Sequence, residues 1–347
     1  MTLLRSRPLR VAAGLLPLVA CASVPAAEAE EQSRSPRSTV ALTLENDVFT
    51  GSDNNYSNGL GLTYQSAEFR EYEEGSFHRD WVEFWSFLPH IGDENCQVHA
   101  AWTLGQEIYT PDDLHAAPPA ADDQPYAGVL FLDSTLYART RKVTHAWNLR
   151  LGLVGPASMA EETQEAVHRA IGSAIPQGWG AQLENEALVN VDYTVGYELY
   201  AHELSDATQL RFVPMVGAAL GNYFTGASVA AYTELGWHLP PSIGLLSIRR
   251  GVDPFVDVES GDLRPWSLST YVGAGGFAVG HYLPLDGTLT RDGPSVDSEP
   301  FVGFVSVGLT LRLSEFTLSY LLTTFGDAFE TQRENTDYGT LSLAWNF

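Results

Sequence analysis

The sequence predicts an all-β fold, a transmembrane antiparallel β-barrel of about twelve strands with a short helix in an extracellular loop. Three observations carry this. Apolar and polar residues alternate with period two in segment after segment, as in strands with one apolar face. The first residues have the composition of a secretion leader. The last segment places Leu341, Leu343, Trp345 and the terminal Phe347 on one face and Thr340, Ser342, Ala344 and Asn346 on the other, the pattern of an outer-membrane assembly signal. An edge strand of a soluble sandwich is the alternative, and the aromatic-rich strands and the leader favour the barrel.

Residues 1–29 read as a signal peptide: Arg5, Arg7 and Arg10 precede a short apolar run and a small-residue cleavage site at Ala27 to Ala29. Leu18-Val19-Ala20-Cys21 also fits a lipoprotein cleavage box. Removing 1–29 takes three arginines and Glu28 from a chain of formal charge -24, a net +2, and leaves -26 on residues 30–347, read as one barrel domain. So acidic a chain disfavours nucleic-acid binding. Cys96 would then be the one cysteine, so no intrachain disulfide is expected. Mean hydropathy is -0.08 and no uninterrupted apolar run approaches the roughly twenty residues of a membrane helix. Barrel strands escape that test, because their lumen-facing residues are polar.

Strands are expected around Val40 to Leu44 and Leu60 to Tyr64, then at Gln97 to Thr110, Tyr126 to Thr140, Val143 to Val154, Leu188 to Ala201, Gln209 to Phe224 and Ser228 to Leu239. Trp266 to Leu283, Phe301 to Leu313, Glu315 to Phe325 and Tyr338 to Phe347 complete the set. With both ends periplasmic, the connections at Thr50 to Asn55, Pro111 to Gln124 and Gly155 to Ala187 are extracellular. Phe69 to Asn95 becomes a long periplasmic insertion whose Trp81, Phe84, Trp85 and Phe87 suit packing on the lower mouth or at the membrane interface.

The stretch Met159 to Glu186 opens as a short amphipathic helix with Gly172 and Pro176 as stop signals. Its spacing sets Gln164 one turn below His168. Asn46-Asp47 ends the first strand, Tyr56-Ser57-Asn58-Gly59 begins the second and Gln106-Glu107-Ile108-Tyr109 ends the third, so polar residues from four segments converge on one rim. Asn46-Asp47 is turn chemistry in one reading and a pair of hard oxygen donors suited to calcium in the other. Asp53-Asn54-Asn55 is a rival calcium site by composition and reads as the hairpin loop. His168 is a surface histidine or a general base near neutral pH. Ser57 has no Gly-x-Ser-x-Gly elbow and reads as a hydrogen-bond donor. Arg169 binds a phosphate or pairs with Glu165. No Walker loop, dinucleotide glycine set or zinc pattern occurs.

Asn46-Asp47, Tyr56-Ser57-Asn58-Gly59, Gly105 to Pro111, Asp123 to Gly128, and Gly155-Pro156 followed by Gln164-x3-His168-Arg169-x-Ile171-Gly172 together resemble the outer-membrane lipid A 3'-O-deacylase family. Trp179, Gln182 and Asn185-Glu186 extend the match, which spans Val40 to Tyr193. The resemblance implies a calcium-dependent carboxylic ester hydrolase that removes the 3'-linked acyloxyacyl chain of lipid A in the outer leaflet. Its site would lie at the extracellular side, with no partner beyond the barrel-assembly machinery. It implies His168 as the base that activates water, Asn46 and Asp47 in the cation-associated cluster, Ser57 in place of the family's threonine, and Gln164 as the glutamine of the site helix.

Two departures stand out. The acidic residue six positions after the family's histidine is Ala174 here, with Glu186 a candidate substitute, and the second extracellular loop, Pro111 to Gln124, holds four aspartates and no Lys or Arg. A family barrel that is inactive or acts on another lipid ester, and a passive porin, are the alternatives to the deacylase.

Overall fold

A computed structural model of the chain describes residues 38–50, 55–240, 244 and 265–347. The expected signal peptide, the Cys21 lipoprotein box and the Asp53-Asn54 loop lie outside the described residues. The strands are β1 (Thr39–Asn46), β2 (Asn55–Gln65), β3 (Gln97–Thr110), β4 (Ala127–Arg139), β5 (Val143–Val154), β6 (Glu186–Tyr197), β7 (Tyr200–Glu203), β8 (Thr208–Gly221), β9 (Phe224–Trp237), β10 (Trp266–Tyr282), β11 (Phe301–Leu313), β12 (Phe316–Phe325) and β13 (Thr336–Asn346). Each pairs antiparallel with its neighbour, β1 with β13, and a β6–β8 pairing closes the sheet.

The single strand expected from Leu188 to Ala201 is interrupted. Glu198 N–H bonds Lys142 O and Leu199 N–H bonds Phe212 O, so the chain kinks before β7 resumes against β8. Since β6 and β7 form one stave, the barrel has twelve, an even number as both ends at one rim require. This closed antiparallel barrel is the predicted fold class.

Along β1, Leu42 is exposed, and Leu62, Leu104, Leu132 and Leu151 mark the same outward parity on the next four strands. The inward positions are buried and carry charge. Arg150 lies wholly buried, bidentate to Asp133 (Nε to Oδ1 and Nη2 to Oδ2, both 2.9 Å) and donating to Glu107 Oε1 at 3.0 Å. Tyr109 and Tyr223 hydroxyls donate to Glu107 Oε2 at 3.0 and 2.6 Å, and the guanidinium sits 3.6 Å from the Phe131 ring centroid. Glu45 accepts from Tyr56 and Thr340 at 2.7 and 2.9 Å. At the rim where β1 ends, Phe224, Phe277, Phe304, Phe325 and Tyr338 stack into an aromatic plug. Buried charge of this kind stands only when every partner is supplied, and here each is. The lumen at this level is filled by side chains.

Three helices interrupt the strand pattern. One turn, α3 (Leu283–Asp286), caps β10 at the end of the expected Trp266 to Leu283 strand, where Pro284 cannot donate to the ladder. The Phe69 to Asn95 insertion contains α1 (Phe77–Phe84), and α2 (Ala160–Ile171) lies in the β5–β6 connection at the opposite end. Gly172, left-handed at φ 78°, terminates α2 as expected.

Candidate active site at the outer wall of the rim

The site is built on the outside of the barrel. Position 46 shares the outward parity of Leu42 and Leu44, and Gln106, Ile108 and Thr110 share that of Leu104. Over this wall lies the segment that carries α2. Ile108 is nevertheless buried, in a cluster with Leu114, Tyr126, Ala160 and Trp179. Gly128 faces α2, and an added Cβ would sit 2.2 Å from Ala160 Cβ and 2.3 Å from Ser158 Oγ, so only glycine lets the helix rest there. Gln106 Nε2 donates to Ser158 O at 2.7 Å and fixes the approach to the helix.

Asn46 caps the turn after β1, its Oδ1 accepting from Val48 N–H at 2.9 Å, while its Nδ2 donates to Ser57 O at 2.6 Å. Asn46 thus performs turn chemistry, and that turn buries Asp47. Ser57 occupies a bulge where β2 shifts register against β3, and its hydroxyl shares a 2.6 Å hydrogen bond with Thr110 Oγ1. Gln124 Nε2 donates to Thr110 O at 3.4 Å. Two residues on, Tyr126 packs on Trp179 with centroids 4.8 Å apart, and Trp179 Nε1 donates to Gln164 Oε1 at 2.8 Å. A continuous chain of contacts therefore runs along the rim from Asn46 to Gln164. Thr110 and the Trp179 indole N–H were not singled out from sequence as site groups, although both stand inside the motifs quoted above.

Gln164 is 3% exposed and its Nε2 has no hydrogen-bond partner among the described residues. A buried amide donor without a partner is costly unless a bound molecule or water satisfies it. One turn on, His168 is half-buried and its Nδ1 lies 2.5 Å from Ala174 O. A carbonyl can only accept, so Nδ1 carries the proton and Nε2 presents its lone pair. Among the described residues neither Gln164 nor His168 is hydrogen-bonded to Asn46, Asp47 or Ser57; the first pair sits on α2, the others on the β1–β2 end of the rim.

The contacts bear on two readings left open by the sequence. Glu186 does not substitute for an acid beside His168: it accepts from Asn222 Nδ2 at 2.9 Å and from the Thr290 N–H at 2.8 Å and its hydroxyl, tying β6 to the 287–300 loop. Arg169 pairs with Glu165 in the helical i, i+4 geometry, the second of its two readings. A cation does reach the acidic second loop, from elsewhere. Arg333, in the β12–β13 connection, opposes the rise in pKa of Asp112 and Asp123, whose carboxyls are pushed up by burial and by neighbouring carboxylates. Thr331 of the same connection donates its hydroxyl to Asp122 O.

No group of three or more His, Cys, Asp or Glu that could hold a metal occurs among the described residues. The donors at the expected calcium site fit such an ion in kind: one buried carboxylate, Asp47, beside the amide oxygen of Asn46, both hard ligands. They are few, and a six- to eight-oxygen shell would draw on backbone, water and substrate.

A closed twelve-stave antiparallel barrel with a polar, helix-covered patch on its outer wall has the architecture of an outer-membrane barrel. The sequence matches the family described as "Outer membrane protein LpxR" over residues 15–347, and the chain belongs to that family. Among solved structures it is similar to LpxR from Salmonella typhimurium, with TM-score 0.71 and 19% identity over 89% of this chain and 100% of that one. It is more distantly similar to an outer membrane channel from Pseudomonas putida F1 (TM-score 0.39, 11% identity, 94% and 100% coverage) and to the beta domain of a Bordetella autotransporter (0.38, 9%, 90% and 98%). No curated protein matches the sequence.

Proposed function

We propose that the chain is an outer-membrane esterase that hydrolyses the 3'-linked acyloxyacyl ester of lipid A, drawn laterally from the outer leaflet, with the α2 rim at the extracellular side. One observation carries the reading beyond family membership: a histidine with Nδ1 locked by a backbone carbonyl and Nε2 free, beside a buried unpartnered amide, on the lipid-facing wall. His168 Nε2 takes the proton of a water molecule that attacks the ester carbonyl, a role for which a positioned imidazole is suited near neutral pH. The free Gln164 N–H is available to the carbonyl oxygen as it gains charge, and Trp179 holds the amide plane. Asn46 and Ser57 form the opposite edge, braced through Thr110. Calcium, held by Asp47 with the Asn46 oxygen, would add positive charge near the oxyanion. Arg333 provides the cation that the second loop itself lacks, suited to a lipid A phosphate.

A passive porin is disfavoured by the lumen, where Arg150 and its acids are cut off from water. The alternative of a family member acting on another lipid ester shares the site and differs only in substrate. The test is mass spectrometry of lipid A from outer membranes expressing the intact chain or His168→Ala, with calcium and with chelator. We expect loss of one acyloxyacyl mass only with the intact chain and calcium, and a rate reduction of about 10²–10⁴-fold in the variant. Unchanged lipid A from correctly folded intact protein would reject this substrate.

A further inference from the structure

The insertion between β2 and β3 packs on the outside wall of the barrel at the end opposite α2. Val82 and Ile91 are buried against Val98, Ala100, Leu136 and Ala138 of β3 and β4. Trp81 Nε1 donates to Ser134 Oγ at 3.2 Å, Trp147 Nε1 to Pro89 O at 3.2 Å, and the His90 ring stacks on His145 at 3.9 Å. The insertion is thus fixed to the wall and does not enter the lower mouth.

What it turns outward is apolar. Phe77, Phe84 and Phe87 are 62%, 66% and 71% exposed, more than Leu104 at 56% or Leu132 at 46% on the lipid-facing strands. Helical spacing joins Phe77, Trp81, Phe84 and Trp85 into one stripe, with ring centroids 5.0–6.5 Å apart from neighbour to neighbour. Arg79, Asp80 and Glu83 occupy the other face, with Arg79 Nε to Glu83 Oε1 at 2.8 Å. An exposed stripe of this size on a protein in water would be a liability.

Its height resolves the difficulty. Around the rest of the barrel, the same end carries exposed, outward aromatic residues: Tyr197 ending β6, Trp237 ending β9, Trp266 opening β10, Phe316 opening β12 and Trp345 ending β13. Such girdles mark the membrane–water interface of outer-membrane barrels. On β3 to β5 the corresponding outward rings, Trp102 and Trp147, are partly covered by the insertion. The girdle is interrupted there, and α1 with Phe87 fills the gap at the same level.

We propose that α1 and Phe87 form an interfacial foot, seated in the headgroup and upper acyl region of the leaflet at this end of the barrel. With the orientation proposed above, that leaflet is the periplasmic one, made of phospholipid. The occupant of the aromatic stripe is therefore lipid, and the charged face with Arg79 and Glu83 points to water. An amphipathic helix with aromatic residues on one face lies in this way about 5–10 Å into the boundary.

Spin labels at Phe84→Cys and Phe87→Cys test it, in the full chain carrying Cys21→Ser and Cys96→Ser, reconstituted in phosphatidylethanolamine and phosphatidylglycerol vesicles. Symmetric vesicles read burial whichever way the barrel inserts, so the outcome is separable from the fate of the esterase reading. We expect both labels to collide readily with oxygen and at least tenfold less with a water-soluble nickel chelate than a label at Glu74→Cys, whose native side chain is 88% exposed. In the unsubstituted chain, lipids brominated near the headgroup should quench more emission than in Trp85→Phe. Nickel accessibility equal to that at Glu74, or immobilisation of the labels in detergent that disappears on dilution, would overturn the proposal. The first outcome would assign the stripe to water and the second to a protein neighbour.

Discussion

His168 and Ala174 form the smallest unit of the site, and it is a backbone contact that orients the side chain. The carbonyl of Ala174 occupies the place at Nδ1 that a carboxylate would take, and the αL turn at Gly172 is what swings that carbonyl back toward the helix end. Because the tautomer is already set, restoring an acid at this position adds no bond the imidazole lacks. Ala174→Glu should therefore leave deacylation within about threefold of the intact enzyme, read by lipid A mass spectrometry over time. A gain of tenfold or more would mean that the carboxylate has a task of its own. Sequence alone could name His168, Gln164, Asn46, Asp47 and Ser57, since each lies in an ordered motif. It could not reveal that Asn46 turns both ends of its amide to the backbone, because that depends on the bulge at Ser57 and on the Asn46↔Asn58 register.

At the scale of elements, the rim is assembled from loops that lean on one another. The 111–126 connection is tied internally, with Asp123 Oδ2 accepting from Asp112 N–H at 2.9 Å, and Arg333 approaches from the other side of the mouth. Burial and the Asp123 charge raise the pKa of Asp112 above the ordinary carboxylate value. A raised carboxyl pKa means the folded state favours the protonated form, so its stabilising contribution is complete below the unfolded value near 3.8 and is lost as pH rises through the raised folded value. At pH 7 the charge opposes folding. Asp112→Asn should accordingly raise the thermal midpoint at pH 7, with the gain shrinking as pH falls toward 4, as followed by circular dichroism in detergent. An equal gain at both pH values would show that the effect is not electrostatic. The helix expected after Met159 was legible because its pattern is local. The one inside Phe69 to Asn95 carries the same spacing in Phe77, Trp81, Phe84 and Trp85, but which of these rings meet the barrel wall and which stay exposed depends on the neighbouring strands.

For the molecule as a whole, alternation predicted closure and strand number, whereas the lumen depended on register. Asp133 lies directly across from Arg150, and Arg211 across from Glu234, so each cation meets an acid only when the hairpins pair as they do. Glu107 joins the first pair from β3. Arg150→Met leaves two buried carboxylates without their cation and should lower the unfolding free energy by about 3–5 kcal/mol, measured by guanidinium unfolding in detergent. Adding Glu107→Gln and Asp133→Asn should recover most of that loss. No recovery would show that the arginine acts by packing on Phe131 instead.

The position of the site on the outer wall also changes what concentration means for this protein. A ligand arriving through the lumen would be counted per volume of water. One arriving along the wall is counted per area of leaflet, so saturation follows the mole fraction of substrate lipid among its neighbours. Inert lipid or detergent then acts as a diluent in two dimensions, slowing turnover while the amount of substrate in the tube stays the same. On the proposed esterase reading, the relevant quantity in a living membrane is how tightly the surrounding lipids are packed, since crowding along β1 to β4 would set how often a substrate lipid passes Asn46 and His168.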